Sequence, residues 1–345
     1  MKKSTIAISI GDPCGIGPEV TLRALKVLRE NRWDAANLVV YGDREVLDVV
    51  VRRHIVPPGA ATRVSLVDLK SFKGPPRARA CREGGRAALE YLDAAIADAV
   101  SGKIDAVVTA PLSKEAARAS HHDFTGQTEY LGRAFGVKGP VMMMLGGGLR
   151  VALVTTHCAL KDVPRLVTVE TVLHTILTFD RALRQYFRIR RPRIVTCGLN
   201  PHPAEDAPWT RSDRETVAPA VRLAGRHGVE CAGPVAGDTA FHRALSGEFD
   251  AVVAMYHDQG LAPLKTLAFE TAVNVTLGLP IVRTSPGHGT AFDVAGTGRA
   301  DPGAMVEAVK CAARMLEAGR RNRTGARRFA RKGGNAVSSI KKGRK

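Results

Sequence analysis

The stretch Ala251-Val252-Val253-Ala254-Met255-Tyr256-His257-Asp258-Gln259-Gly260 decides how this chain is read. An apolar run of strand length meets a histidine, an acid and an amide, and then a glycine. A short apolar run bounded by polar and turn residues reads as a strand buried on both faces, as in parallel sheets. The same pattern occurs twice upstream. Val151-Ala152-Leu153-Val154-Thr155-Thr156-His157 ends on a histidine, and Ile194-Val195-Thr196-Cys197-Gly198-Leu199-Asn200-Pro201-His202 reaches one just past its apolar part. Open α/β sheets gather ligands at the carboxyl ends of their strands. His157, His202 and His257 therefore hold equivalent topological places.

Working outward, further strands are expected at residues 6–10, 38–41, 106–109, 141–145 and 273–277, besides 151–155, 194–197 and 251–255. Helical stretches alternate with them, beginning at Pro18 and near Gly85 and covering about 167–186, 214–227 and 303–318. In the second of these, Ala88, Leu89, Leu92, Ala95, Ile96 and Val100 fall on one expected buried face, and Ser101-Gly102 stops the helix. The alternation predicts an α/β fold. A length of 345 residues is long for a single compact domain, so two lobes or one large α/β unit are expected.

No apolar run approaches the length of a membrane-spanning helix. Gly11-Asp12-Pro13 also cuts the first apolar run too short for a secretory signal, so a cytoplasmic location is expected. The net charge of +18 is concentrated at one end: residues 320–345 hold eleven Lys or Arg and no acid, leaving 40 basic against 33 acidic side chains before them. This basic tail reads as a disordered, solvated extension. Nucleic-acid binding through its charge is the weaker reading, because nothing but charge speaks for it. Six cysteines without a Cys-x-x-Cys pair point to reduced thiols rather than a zinc ribbon or a disulfide framework.

Several chemistries are excluded by missing motifs. Gly15-Ile16-Gly17-Pro18 lacks the third glycine of the Rossmann dinucleotide fingerprint. The chain also has no Gly-x-x-x-x-Gly-Lys-Ser/Thr loop, no His-Glu-x-x-His and no Gly-x-Ser-x-Gly elbow.

Three clusters remain. Neutral imidazoles converging at strand ends are good ligands for a divalent ion, with a position left for a substrate oxygen. Spacings of 45 and 55 residues do not by themselves distinguish such a site from three separate structural histidines. Lys265, Asn274 and Arg283 stand at strand edges, where Lys and Arg recognise phosphate or carboxylate. Gly287-His288-Gly289-Thr290-Ala291-Phe292-Asp293-Val294-Ala295-Gly296-Thr297-Gly298 is glycine-dense, which lets backbone N–H groups approach an anion or a planar ring.

Taken in order, these segments resemble one family. Gly11-Asp12-Pro13-Cys14-Gly15-Ile16-Gly17-Pro18-Glu19, Thr109-Ala110-Pro111-Leu112-Ser113-Lys114, Thr155-Thr156-His157, Leu199-Asn200-Pro201-His202, Met255-Tyr256-His257-Asp258-Gln259-Gly260, Asn274-Val275-Thr276-Leu277-Gly278-Leu279-Pro280 and Arg283-Thr284-Ser285 closely resemble the 4-hydroxythreonine-4-phosphate dehydrogenase family of pyridoxal phosphate biosynthesis. The resemblance runs from about residue 4 to 318. It implies the two-lobed isocitrate/isopropylmalate dehydrogenase type of α/β fold, with an interdomain cleft and no Rossmann domain. Residues 1–125 with 284–319 would form the nucleotide-side lobe, 126–283 the metal, substrate and dimerisation lobe, and 320–345 the tail.

The resemblance further implies a homodimer whose active site lies at the subunit interface. One divalent metal (zinc, cobalt, magnesium or manganese) would be held by His157, His202 and His257, with ligands drawn from both subunits. Gln127, Thr128, Lys265, Asn274 and Arg283 would contact substrate. Gly287, His288, Gly289, Thr290, Asp293 and Gly296 would hold NAD or NADP. The implied reaction oxidises 4-phosphooxy-L-threonine to 2-amino-3-oxo-4-phosphooxybutanoate, which decarboxylates to 3-amino-2-oxopropyl phosphate. Asp238 and Lys265 are candidates for acid–base work, and no general base is assigned.

Two departures bear on substrate identity. The family usually reads Gly-His-Thr-Glu where this chain has Gly126-Gln127-Thr128-Glu129, and Gln cannot relay protons as His does. After His202 the usual Ala-Gly-Glu is replaced by Pro203-Ala204-Glu205-Asp206-Ala207-Pro208-Trp209, a stiffer and bulkier loop. The alternatives keep the chemistry and change the substrate, to 4-phospho-D-threonate, 4-phospho-D-erythronate or an aromatic cis-dihydrodiol carboxylate.

Overall fold

A computed structural model describes residues 3–53 and 64–320. All but the first residue of the basic tail lies outside the described residues. Among the described residues the strands are β1 (Ser4–Ser9), β2 (Ala36–Gly42), β3 (Ser65–Asp68), β4 (Ala106–Thr109), β5 (Val141–Gly146), β6 (Leu149–Leu153), β7 (Arg193–Cys197), β8 (Glu230–Val235), β9 (Ala251–Ala254), β10 (Val273–Leu277) and β11 (Val282–Pro286). They form one sheet in the order β3-β2-β1-β4-β11-β10-β5-β6-β9-β7-β8, with helices packed on it in a mixed α/β fold.

Strand direction divides the sheet. β3, β2, β1, β4 and β11 are mutually parallel, as are β6, β9, β7 and β8. Between the two sets, β10 is antiparallel to β11 and β5, and β5 is antiparallel to β6. The three strands that carry histidines, β6, β9 and β7, are parallel neighbours, so His157, His257 and His202 leave the sheet at the same edge.

Val and Ile build the inner strands because both faces are covered: Ile6, Ile8, Val107, Val108, Val252 and Val253 are all buried. Helix Arg82–Val100 packs through Ala88, Leu92, Ala95 and Ile96 as its periodicity predicts. Val100 corrects the expected face: it is 65% exposed. It follows Ile96 by one turn, but it is the last helical residue, where the chain turns at Ser101 away from the core.

Close approach of two loops prepares the site. Gly11 has φ +71°, and a Cβ there would lie 2.2 Å from the Pro111 carbonyl oxygen. Only glycine fits that combination of backbone conformation and contact. The Asp12 N–H then donates to that same carbonyl at 2.9 Å. The loops after β1 and β4 are thus held together beside the middle of the sheet.

Candidate active site

Register alone assembles the floor of the site. Directly opposed residues of antiparallel strands point to the same face of a sheet. Asn274 opposes Met144 and Ser285, while Thr276 opposes Met142 and Arg283. These six residues therefore share one face at the centre of the sheet, and all but Thr276 line the same pocket.

Helices supply the walls. In helix His257–Ala268, residues 257, 261 and 265 follow one another at four-residue spacing, so His257, Leu261 and Lys265 face the pocket together. Across it, helix Gln127–Ala134 presents Gln127 and Thr128 from its first turn. Lys114 enters as the first residue of helix Lys114–Ser120, which the Ser113 side chain caps through the Ala116 N–H at 3.2 Å. Both longer helices direct their N-terminal ends here, and that end favours negative charge.

Cationic side chains dominate the lining. Arg283 is 2% exposed, and burial lowers its pKa to about 10. Its Nη1 donates to the Thr276 hydroxyl at 3.0 Å, and its Nη2 donates to the Thr109 hydroxyl at 2.6 Å and to the Gln127 side-chain oxygen. No carboxylate lies within ion-pair distance of it among the described residues, and Nε has no partner. Burial also lowers the pKa of Lys114, although Glu129 opposes that shift. Lys265 places its ammonium 5.5 Å from the centre of the Phe269 ring.

Two further buried polar atoms on this pocket lack partners: the Asn274 side-chain oxygen and His288 Nε2. Buried donors and acceptors are almost always satisfied. Three unpartnered groups on one pocket leave a donor on Arg283 and acceptors on Asn274 and His288 open to a polar ligand.

His157 and His257 meet at the pocket, with ring centroids 5.7 Å apart. Burial first, and then the charge of Lys114, lowers the pKa of His157, which keeps the imidazole neutral and able to donate a lone pair. His257 Nδ1 hydrogen-bonds Asp258 at 2.7 Å, which orients the ring. The two imidazoles thus have the chemistry of metal ligands.

His202 does not join them. It lines the neighbouring cavity on the other side of helix His257–Ala268, with Asp238, Tyr256, Asp258 and Gln259. There it stands at φ +52°, a left-handed conformation unusual for a side-chain-bearing residue, with Nδ1 3.4 Å from Glu205. Its loop is fixed from below by Asp213, which accepts from the Leu199 and Asn200 N–H groups at 2.6 and 3.2 Å. Asp238 is exposed, and its carboxylate accepts from the Thr239 N–H at 2.7 Å. The two acid–base candidates are therefore in separate cavities. Among the described residues no three metal-binding side chains converge.

The glycine-rich segment splits likewise. Gly287, His288 and Gly289 line the pocket, whereas Thr290, Asp293 and Gly296 do not. The Thr290 carbonyl accepts from the Ile16 N–H at 3.0 Å, and buried Glu19 accepts from the Gly296 and Ala300 N–H groups at 3.3 and 3.1 Å. Lys114, Thr109, Glu129 and Ser285 also line the pocket and were missed as site residues from sequence. For Lys114 the signal was there, at the end of Thr109-Ala110-Pro111-Leu112-Ser113-Lys114.

Comparison with known proteins identifies the family. Residues 34–312 match the family described as pyridoxal phosphate biosynthetic protein PdxA. The chain is 43% identical over 319 residues to a 4-hydroxythreonine-4-phosphate dehydrogenase of Burkholderia vietnamiensis, covering 90% of this chain and 96% of that one. A crystal structure of 4-hydroxythreonine-4-phosphate dehydrogenase from Klebsiella pneumoniae superposes with a TM-score of 0.80 at 34% identity, covering 91% of this chain and all of the other. A terephthalate 1,2-cis-dihydrodiol dehydrogenase from Burkholderia xenovorans gives 0.62 at 28% identity, covering 91% and 98%. With the family model spanning residues 34–312 and relatives matched over most of its length, this chain belongs to the pyridoxal phosphate biosynthetic protein PdxA family.

Proposed function

We propose that the chain is an NAD(P)-dependent dehydrogenase that oxidises 4-phosphooxy-L-threonine at its secondary alcohol, the 3-oxo acid then losing carbon dioxide to give 3-amino-2-oxopropyl phosphate. The observation that carries the substrate class is Arg283: a fully buried cation, with no carboxylate partner among the described residues, on a pocket shared with Lys114 and Lys265. An unpaired buried charge costs several kcal/mol, and an anionic ligand offsets that cost. A phosphate and a carboxylate on one small molecule match three cations. The orphaned Asn274 oxygen matches the substrate amino group as donor.

Aromatic lining is sparse, Phe124 being the one benzene ring among the lining residues, which favours a phosphorylated amino acid over an aromatic diol. Lys265 and Arg283 fix the substrate against the floor, and fixing the reacting carbon next to the nicotinamide supplies much of the rate. The Gly287–Gly289 backbone, which borders the pocket, supports a nucleotide-binding role for the start of the glycine-rich segment.

His157 and His257 are the residues that would hold a divalent metal, and such an ion lowers the pKa of a coordinated hydroxyl. Ligands drawn from two subunits of a homodimer account for the separate position of His202. NAD(P), when bound, would supply the hydride acceptor.

The test is the ratio of kcat/KM for 4-phosphooxy-L-threonine to that for 4-hydroxy-L-threonine, which lacks only the phosphate. A preference of at least about 100-fold is expected from losing charge-assisted contacts. Equal turnover would refute a phosphate-binding role for the pocket.

A further inference from the structure

Cys14 and Cys81 come together from distant parts of the chain, with their sulfur atoms 3.7 Å apart. Cys14 lies in the loop after β1, and Cys81 is the N-cap of helix Arg82–Val100, accepting from the Gly84 N–H at 3.3 Å. Gly84 leaves the room in which they meet: a Cβ there would stand 3.2 Å from the Cys81 sulfur, 3.5 Å from that of Cys14 and 2.8 Å from an Asp12 oxygen. Cys14 is buried, whereas Cys81 is partly exposed. A disulfide needs sulfurs about 2.05 Å apart, a movement that two side-chain rotations and a small loop shift can supply.

We propose that Cys14 and Cys81 form a peroxide-responsive thiol pair, a modification site apart from the catalytic pocket. Cys81 is the nucleophile, being the more accessible of the two sulfurs. Its thiolate attacks one oxygen of hydrogen peroxide and breaks the O–O bond, giving a sulfenic acid and hydroxide. Cys14 then attacks that sulfur through its own, the S–O bond breaks, and water leaves as the Cys14–Cys81 disulfide forms. Two thiols are oxidised and one peroxide is reduced. Burial pushes the Cys14 thiol up to about 12, so Cys14 is not the sulfur that peroxide oxidises first.

The cross-link has a defined mechanical effect. It ties the loop that hydrogen-bonds Pro111 and Thr290 to the start of helix Arg82–Val100. The experiment treats the folded, full-length protein with hydrogen peroxide, blocks remaining thiols with iodoacetamide and maps peptides by mass. The expected result is a peptide pair joined through Cys14 and Cys81, short of two hydrogens and separated by dithiothreitol. It should be absent from Cys81→Ser, in which a serine keeps the helix cap, and from protein oxidised after denaturation. The exposed Cys158 reports that peroxide reached the protein. If Cys158 is oxidised while Cys14 and Cys81 are both alkylated, or if Cys81 reaches sulfinic acid with Cys14 still alkylated, the proposal is overturned.

Discussion

The side-chain oxygen of Gln127 accepts from the guanidinium of Arg283 and also from the Thr109 hydroxyl at 2.6 Å, while its amide nitrogen donates to the Ala110 carbonyl at 3.2 Å. Gln127 thus lines the pocket, but its polar atoms are occupied by protein partners. In this arrangement it holds the Arg283 guanidinium, where the sequence had it contacting substrate. A glutamine suits this task because it donates and accepts at once without carrying charge.

Replacing Gln127 separates positioning from proton transfer. Gln127→Ala should lower kcat/KM about 10- to 100-fold, the worth of a hydrogen bond to a charged group. Gln127→Glu sets a carboxylate against Arg283 and should raise KM for the phosphorylated substrate further than Ala does. Steady-state kinetics at fixed nucleotide check both. A KM that is the same in all three proteins would assign Gln127 no part in holding Arg283.

Arg283 itself should matter more for binding than for folding. Arg283→Met removes a desolvated cation with no carboxylate partner among the described residues, so the loss of its hydrogen bonds is offset by the relief of a burial penalty. The expected outcome is a kcat/KM lower by at least about 100-fold with Tm within a few degrees of the parent. Thermal melting beside kinetics reads both quantities. A large fall in Tm with unchanged KM would make Arg283 a structural residue.

Asp12 gives a pH prediction. Burial raises its pKa to about 6, against hydrogen bonds from the Cys14 and Ser113 backbones that favour the carboxylate. A folded-state value above the unfolded one means that the folded protein binds the proton more tightly. This contribution to stability is complete below about pH 4 and is lost as pH rises through about 6. Asp12→Asn cannot ionise, so its unfolding free energy relative to the parent should improve between pH 5 and pH 8, by about 1 to 2 kcal/mol. A difference that does not change with pH would show that Asp12 carries no such burden.

Glu19 tests the nucleotide side. Its buried carboxylate accepts from the Gly296 and Ala300 N–H groups and pairs with Arg23 at 3.4 Å, anchoring the glycine-rich segment to helix Gly17–Glu30. Glu19→Ala frees two backbone donors and should raise KM for the nucleotide by about 10-fold or more, with KM for the phosphorylated substrate little changed. The reverse pattern, read from the same rate matrix, would detach this segment from nucleotide binding.

The eight expected strands are all present, because strands covered on both faces announce themselves as short apolar runs. The three strands not expected fail that test for separate reasons. β3 is a four-residue edge strand with exposed ends, and β8 is an edge strand carrying Gly233 and Pro234. β11 reads Val-Arg-Thr-Ser-Pro because one of its faces lines the pocket, so polar residues replace the apolar signal. Helices Gln127–Ala134 and His257–Ala268 were hidden for the same cause: their first turns belong to the site, and Pro263 interrupts the second. Asn274, Arg283, His157 and His257 were legible as pocket residues, since each stands in or just beyond a strand, whereas Lys265 is not at a strand edge as expected but reaches the pocket from within helix His257–Ala268. The separation of His202 was not, because it depends on the left-handed turn at that residue and on Asp213 beneath the loop.

The most direct test of the whole account is NAD(P)H formation with 4-phosphooxy-L-threonine, run in parallel with 4-phospho-D-erythronate and terephthalate cis-dihydrodiol. Each substrate is assayed before chelation, after it, and with a divalent metal restored. The account predicts the highest kcat/KM for the threonine compound, activity lost on chelation and recovered with metal. Turnover confined to the unphosphorylated diol, or indifferent to chelation, would contradict it.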